Sequence, residues 1–176
     1  MKRKLLLSVK KVSILFVMAT LSLTGCRTSK DTLITRRVNR AEQTLGLSIT
    51  KKDYMPLFLV ASDWIGVPYL AGGTTMRGVD CSGLACTLYD DLFHTRLSRT
   101  AEDMYDNDCR KIRRTSNLEN GDLVFFKTEG SRKINHVGIY LKDNLFIHAT
   151  TSNGVRIDNL KDEYYSKCFY RGGRPE

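Results

Sequence analysis

Apolar and polar positions follow two periods along the chain, and the period changes past its midpoint. Behind Asp53, which reads as an N-cap, Leu57, Phe58, Val60, Ala61, Trp64 and Ile65 recur at helical spacing and stop at Gly66. Leu84, Ala85, Leu88, Tyr89 and Leu92 mark one face of a second helix running from Cys81 to about Phe93. Between them, Val67 to Leu70 and the pair Gly72-Gly73 predict an irregular loop where backbone closely approaches other backbone or a ligand. Leu97 to Met104 supplies a loop and a short helix with a polar start at Arg99 to Glu102. Strand patterns then take over: Gly121 to Phe126, His136 to Leu141 and Leu145 to Thr150, the last two joined by the two-residue link Asp143-Asn144. Gly154 to Ile157 reads as a further short strand, and the aromatic-rich Tyr164 to Arg171 as the last. Helices first and antiparallel strands later is the α+β pattern.

The N-terminus has a different character. Lys2, Arg3, Lys4, Lys10 and Lys11 precede an apolar run from Val12 to Leu23, which is shorter than the roughly 20 residues a bilayer span requires, so residues 1–25 read as a secretory signal. It ends in Leu23-Thr24-Gly25-Cys26, similar to the bacterial lipobox, in which the cysteine is acylated and opens the mature chain; several acyl chains anchor stably. Residues 26–52 are polar and charged and read as a tether from the membrane, with a short helical turn in Val38 to Leu45. Residues 53–176 remain as one compact domain.

Charge changes this picture little. The chain carries +9, but without the five leader cations the excess is about +4, and no dense Lys/Arg run interleaved with aromatics marks a nucleic-acid surface. Attraction to an anionic polymer such as a cell wall fits the mild excess. Besides Cys26 the cysteines are Cys81, Cys86, Cys109 and Cys168; with no CxxC pair and three histidines, a zinc site is not indicated. Cys109 and Cys168 pair or remain as two free thiols; both fit the sequence.

Candidate chemistry centres on Arg77-Gly78-Val79-Asp80-Cys81-Ser82-Gly83. A thiol at a helix N-terminus sits among unpaired backbone N–H groups and the positive end of the helix dipole, which favours the thiolate and marks Cys81 as a candidate nucleophile; burial in the core is its bland alternative. Cys86, about 140° further round the helix, reads as core. A thiol nucleophile needs a base and a group that orients the base. His94, just past the helix, reads as a C-terminal residue on the last carbonyls. His136 opens a strand after a polar loop and suits the base; His148 suits the orienting role, although each also reads as a satisfied strand histidine. With Lys142 opposite Leu145 in an ideal hairpin, His136 and His148 fall on opposite faces about 10 Å apart, and a bulge or a longer turn is needed to bring them together.

Six motifs carry a resemblance: Tyr69-Leu70-Ala71-Gly72-Gly73, Gly78 to Leu84, Leu97-Ser98-Arg99-Thr100, Gly121 to Phe126, His136 to Tyr140 and Phe146-Ile147-His148-Ala149. In order and spacing they resemble the NlpC family of bacterial cell-wall cysteine peptidases, and within it the Spr-type lipoprotein murein endopeptidases, over about Asp53 to Arg174. The resemblance implies a papain-like α+β fold, with N-terminal helices and the nucleophile helix packed on a central antiparallel sheet that brings His136 and His148 together. It implies Cys81 as nucleophile, His136 as general base and acid, and His148 as the orienting group. Tyr69 would support the oxyanion beside the Cys81 N–H. Asp80, Ser82 and Thr100 would line the acceptor side of the cleft and hold a peptide amine, with helix capping as the alternative for Asp80 and Ser82. Ser98 stands where relatives usually have proline and Met104 where many have glutamine, which leaves the cleft wall open to difference.

The expected protein is a lipid-anchored cysteine endopeptidase hydrolysing amide bonds in peptidoglycan stem or cross-link peptides, as a monomer and without metal or cofactor. Its expected place is the cell envelope, bound to the membrane through Cys26, on the periplasmic face of the outer membrane in a source with two membranes. A non-catalytic wall-binding lipoprotein and an acyl transferase using the same cysteine are the rival expectations.

Overall fold

The computed structural model describes residues 30–128 and 130–176; the expected signal segment and Cys26 lie outside the described residues. Residues 30–40, in the first of two compact units, are the start of helix α1 (30–45); Ala41 onward forms the second unit. The helix extends the short turn expected in Val38 to Leu45 to residue 30, because the polar segment carries a spaced stripe in Ile34, Val38, Ala41 and Leu45. Ala41 and Leu45 are buried, and Gly46, at φ +67°, ends the helix with its N–H on the Glu42 carbonyl.

Helix α2 (Met55–Trp64) buries Leu57, Phe58, Ala61 and Trp64. Asp53 does not cap it: Tyr54 is the N-cap and Pro56 stands in the first turn. The Asp53 carboxylate accepts the Thr50 N–H and hydroxyl and pairs with Lys142 at 2.7 Å, so its acceptor capacity is used by the turn before the helix. A small hairpin follows, β1 (Thr74–Thr75) and β2 (Gly78–Val79), then α3 (Cys81–Phe93), the expected helix. Its C-cap is His94 at φ 52°, whose backbone N–H reaches the Asp90 and Tyr89 carbonyls. A single turn, α4 (Ala101–Asp103), capped by the Thr100 hydroxyl on the Asp103 N–H, continues as a wider turn to Asp108.

The remaining strands are β3 (Cys109–Ile112), β4 (Leu123–Phe126), β5 (His136–Lys142), β6 (Leu145–Thr150), β7 (Gly154–Asn159) and β8 (Phe169–Pro175), with helix α5 (Glu163–Cys168) before β8. They form one antiparallel sheet ordered β3-β8-β4-β5-β6-β7. The expected strand over Tyr164 to Arg171 is therefore half helix, and β8 starts late and runs through Gly172 and Gly173. Glycine is a poor strand former, but here its small size is required. A Cβ on Gly172 would stand 2.6 Å from Leu118, and one on Gly173 2.9 Å from the Phe125 ring.

One sheet face carries α2 and α3 over a core of Leu57, Phe58, Leu84, Leu88, Leu123, Phe125, Ile139 and Ile147. The other face packs Val124, Phe126, Tyr140 and Phe146 with Tyr165, Cys168 and Phe169. Cys81, Cys86, Cys109 and Cys168 are all free thiols, so Cys109 and Cys168 are not paired. Cys86, half-buried rather than fully in the core, points its thiol at the Leu97 and Ser98 carbonyls.

Candidate active site

Asp80 sets the start of α3. Its Oδ1 accepts the Gly83 N–H at 2.6 Å, its Oδ2 accepts the Gly72 N–H at 2.7 Å, and Arg99 grips both oxygens at 3.0 and 2.7 Å. Ser82 donates to Asp80 and accepts from Arg99. The Gly72-Gly73 loop is drawn against the helix so closely that a Cβ on Gly83 would lie 2.1 Å from the Gly73 carbonyl oxygen, the close backbone approach expected there. Burial raises the Asp80 carboxyl, but Arg99 and the two backbone donors outweigh it and keep it ionised.

Cys81 thus opens α3 with its sulfur toward the backbone N–H groups of Val137 and Ser82 and its own. The helix N-terminus was expected to favour the thiolate. Burial is the larger effect and pushes the thiol up, aided by the Asp80 charge, so the free site holds Cys81 as a thiol.

Val137 follows His136, so the same strand end that meets the sulfur carries the imidazole. The hairpin has the expected two-residue link, with both Asp143 and Asn144 at positive φ. Lys142 faces Leu145 as in the ideal register, but Tyr140 then faces Phe146 and Ile139 faces Ile147: one residue, Leu141, is bulged out. Past the bulge His148 stands opposite Gly138, and His136 moves to the same face. His136 Nε2 and His148 Nδ1 are 2.7 Å apart, and a bulge of the kind the ideal register lacked makes the contact.

The chain of contacts continues to residues that the sequence left unmarked. His148 is fully buried, and its Nε2 lies 2.8 Å from Asp158 Oδ2 on β7. Tyr165 on α5 donates to the same oxygen at 2.8 Å, and Arg156 donates to Oδ1 at 2.6 Å. Burial raises the Asp158 carboxyl, yet the bonds from His148 and Tyr165 hold it low, so it is an acceptor. That assigns the proton on His148 to Nε2, leaves His148 Nδ1 to accept from His136 Nε2–H, and leaves His136 Nδ1 bare. Burial and the neighbouring His148 push His136 well below the usual histidine range, and burial does the same to His148 against the pull of Asp158; both rings are neutral.

Tyr69, Cys81, His136 and His148 line one cleft with Thr128, Tyr164 and Tyr165, and an adjoining depression is lined by Tyr69, Asp80, Cys81, Ser82, Arg99 and Thr100. All seven expected site residues other than Cys26 thus border one connected surface. Thr100 caps α4 and pairs with Asp103, and Asp80 and Ser82 are committed to the cap and to Arg99. At the two departures, Ser98 donates its N–H and hydroxyl to Asp108, and Met104 is fully buried.

An α+β fold with a thiol at a helix N-terminus, an imidazole on the adjacent antiparallel sheet and a polar chain behind it defines the class of papain-like cysteine peptidases. The sequence profile of the NlpC/P60 family matches residues 66–174, and the chain belongs to that family. It is 38% identical over 139 residues to a probable endopeptidase NlpC homolog of Haemophilus influenzae, covering 78% of this chain and 68% of that protein. It is 37% identical over 113 residues to the murein DD-endopeptidase MepS/murein LD-carboxypeptidase of Escherichia coli K12, covering 64% of this chain and 58% of that protein. Among solved structures, a lipoprotein-like NLP/P60 family protein of Staphylococcus aureus superposes with a TM-score of 0.62 at 29% identity, over 72% of this chain and 42% of that one.

Proposed function

We propose that this protein is a peptidoglycan endopeptidase using Cys81, His136 and His148, with Asp158 fixing the two rings. The observation that carries the reading is the unbroken path Asp158–His148–His136 ending in the cleft that holds Cys81. The bare Nδ1 of His136 takes the Cys81 proton, and the thiolate forms a bond to the carbonyl carbon of the scissile amide. The oxyanion is met by the Cys81 N–H and the Tyr69 hydroxyl, whose proton is held firmly by burial and by the nearby Asp80 charge. Collapse breaks the C–N bond as His136 returns the proton to the leaving amine, giving a thioester. His136 then deprotonates the water that releases the acyl group and restores the thiol. No metal or cofactor enters these steps.

The relatives' names support murein as the substrate and a D,D cross-link as the bond, with the bond after D-glutamate as the other candidate. The lipobox-like Leu23-Thr24-Gly25-Cys26 supports an acyl anchor on Cys26 that holds the enzyme at the envelope membrane, on the periplasmic face of an outer membrane where there is one. Incubation with purified peptidoglycan and mass spectrometry of the released muropeptides tests the reaction. Wild-type protein should release peptide-cleaved fragments and Cys81→Ala none; equal release by both, or binding without any cleavage, overturns the reading. Fragments joined to an added amine would identify acyl transfer instead.

A further inference from the structure

Three cations and two tyrosines form a continuous array at the β3 edge of the sheet. Lys111 Nζ lies 3.9 Å from the centre of the Tyr105 ring, Lys127 Nζ 4.2 Å from that of Tyr170, and Arg171 Cζ 5.5 Å from the latter. The two rings meet edge to face at 5.4 Å. Strand register explains the convergence. Lys111 pairs with Gly173 and Arg171 with Phe125, and a Cβ on Gly173 would point at Phe125, so both cations leave the sheet on one face. Arg113 and Arg114 follow directly after β3 and are exposed, as are Lys111 and Arg171.

Among the described residues these five cations have no carboxylate partner, whereas their neighbour Arg110 pairs with Glu176. Asp106 is the acidic group that bears on Tyr105. Uncompensated like charges on adjacent strands repel one another, and a polyanion laid across them relieves that repulsion. The array also adjoins the cleft along the chain. Thr128, next to Lys127, lines the cleft beside His136, and Tyr105 belongs to the turn that begins at Ala101, which lines the depression beside Thr100.

We propose that this array is an exosite that holds a carboxylate-bearing polymer alongside the cleft. The proposal rests on the peptidoglycan reading above: stem peptides supply carboxylates to the lysines and arginines, which the Tyr105 and Tyr170 rings hold in place. Many weak, repeated contacts on an insoluble polymer raise local substrate concentration without altering the chemistry at Cys81.

The test separates binding from cleavage. In a Cys81→Ala background, retention on purified sacculi is measured for the parent chain, for Lys111→Gln/Lys127→Gln/Arg171→Gln and for Lys111→Arg/Lys127→Arg/Arg171→Lys. The uncharged variant should lose on the order of tenfold in affinity and the charge-keeping variant little, and about 0.5 M salt should abolish the difference. With Cys81 intact, the uncharged variant should cleave a short soluble muropeptide within about twofold of wild type but digest sacculi more slowly. Equal retention of parent and uncharged variant, insensitivity to salt, or preferential capture by anionic phospholipid vesicles over sacculi overturns the exosite. Failure of wild-type protein to cleave the soluble muropeptide overturns the catalytic reading instead, and leaves the retention result to be read by itself.

Discussion

The fully buried His148 places its Nε2 2.8 Å from Asp158 Oδ2, with Tyr165 donating to the same carboxylate oxygen. This relationship fixes the proton on the far side of both imidazoles from the thiol. Asp158→Asn keeps the shape but replaces the acceptor with an amide that can present N–H₂ to His148 and reverse its tautomer. The expected result is a loss of kcat on the order of 10²-fold with KM nearly unchanged. Tyr165→Phe, which leaves the carboxylate in place, should cost only a few-fold. Steady-state kinetics on a soluble muropeptide check both; equal activity of Asp158→Asn and wild type would remove Asp158 from the reaction.

Gly138 stands opposite His148 across the hairpin. A Cβ there would lie 2.6 Å from the Phe146 ring, 3.0 Å from the Ile147 carbonyl oxygen and 3.2 Å from His148 Cβ. Gly138→Ala is therefore overpacked against backbone as well as side chain, and should cost about 1–3 kcal/mol of stability. Because the crowding extends to His148, activity at a temperature where the variant is still folded should fall as well. Thermal denaturation and kinetics of the same preparation check the two together.

Helix α3 was legible from sequence nearly to its ends, because Asp80 supplies a capping side chain and Leu84, Ala85, Leu88 and Tyr89 a one-sided stripe. The contact of the two histidines was not. Val137 to Leu141 is buried on both faces of β5, so the alternation that would fix register is missing, and a one-residue slip at Leu141 leaves the hydrophobic pattern unchanged. Asp158 was hidden for a related reason. It lies one residue past the expected strand Gly154 to Ile157, and the Tyr165 that covers it stands on α5, in a stretch whose aromatic-rich pattern predicts strand. Neither Lys167 nor Glu163 looks unusual in a strand edge, but they form an i, i+4 pair that favours the helix.

Asp80 is anchored by four groups, Gly72, Gly83, Ser82 and Arg99, before any substrate arrives. Its first effect is on the shape of the loop and helix that carry Cys81. Asp80→Ala removes the cap and leaves Arg99 and two backbone donors without their acceptor, at an expected cost of about 2 kcal/mol or more. Thr100→Ala, at the cap of a single turn, should cost about 1 kcal/mol or less. Chemical denaturation of the two variants gives the comparison; a larger loss for Thr100→Ala would contradict the assignment of Asp80 as the anchor.

The buried histidines also set how stability depends on pH. His136 and His148 both have folded values below the ordinary 6.5, by burial first and, for His136, by the neighbouring ring as well. Between 6.5 and those lower values the unfolded chain binds protons that the folded chain does not, so stability is full above 6.5 and is lost as pH falls. Asp80 and Asp158, held below the ordinary carboxylate range, add a further loss only in more acid solution. The melting temperature should therefore fall steadily from about pH 7 to about pH 4, before the carboxylates contribute. His136→Gln removes one of the two groups and should flatten that slope while leaving the acid limb below it. A slope that is the same in His136→Gln and wild type would mean that the imidazole is not held neutral at this site.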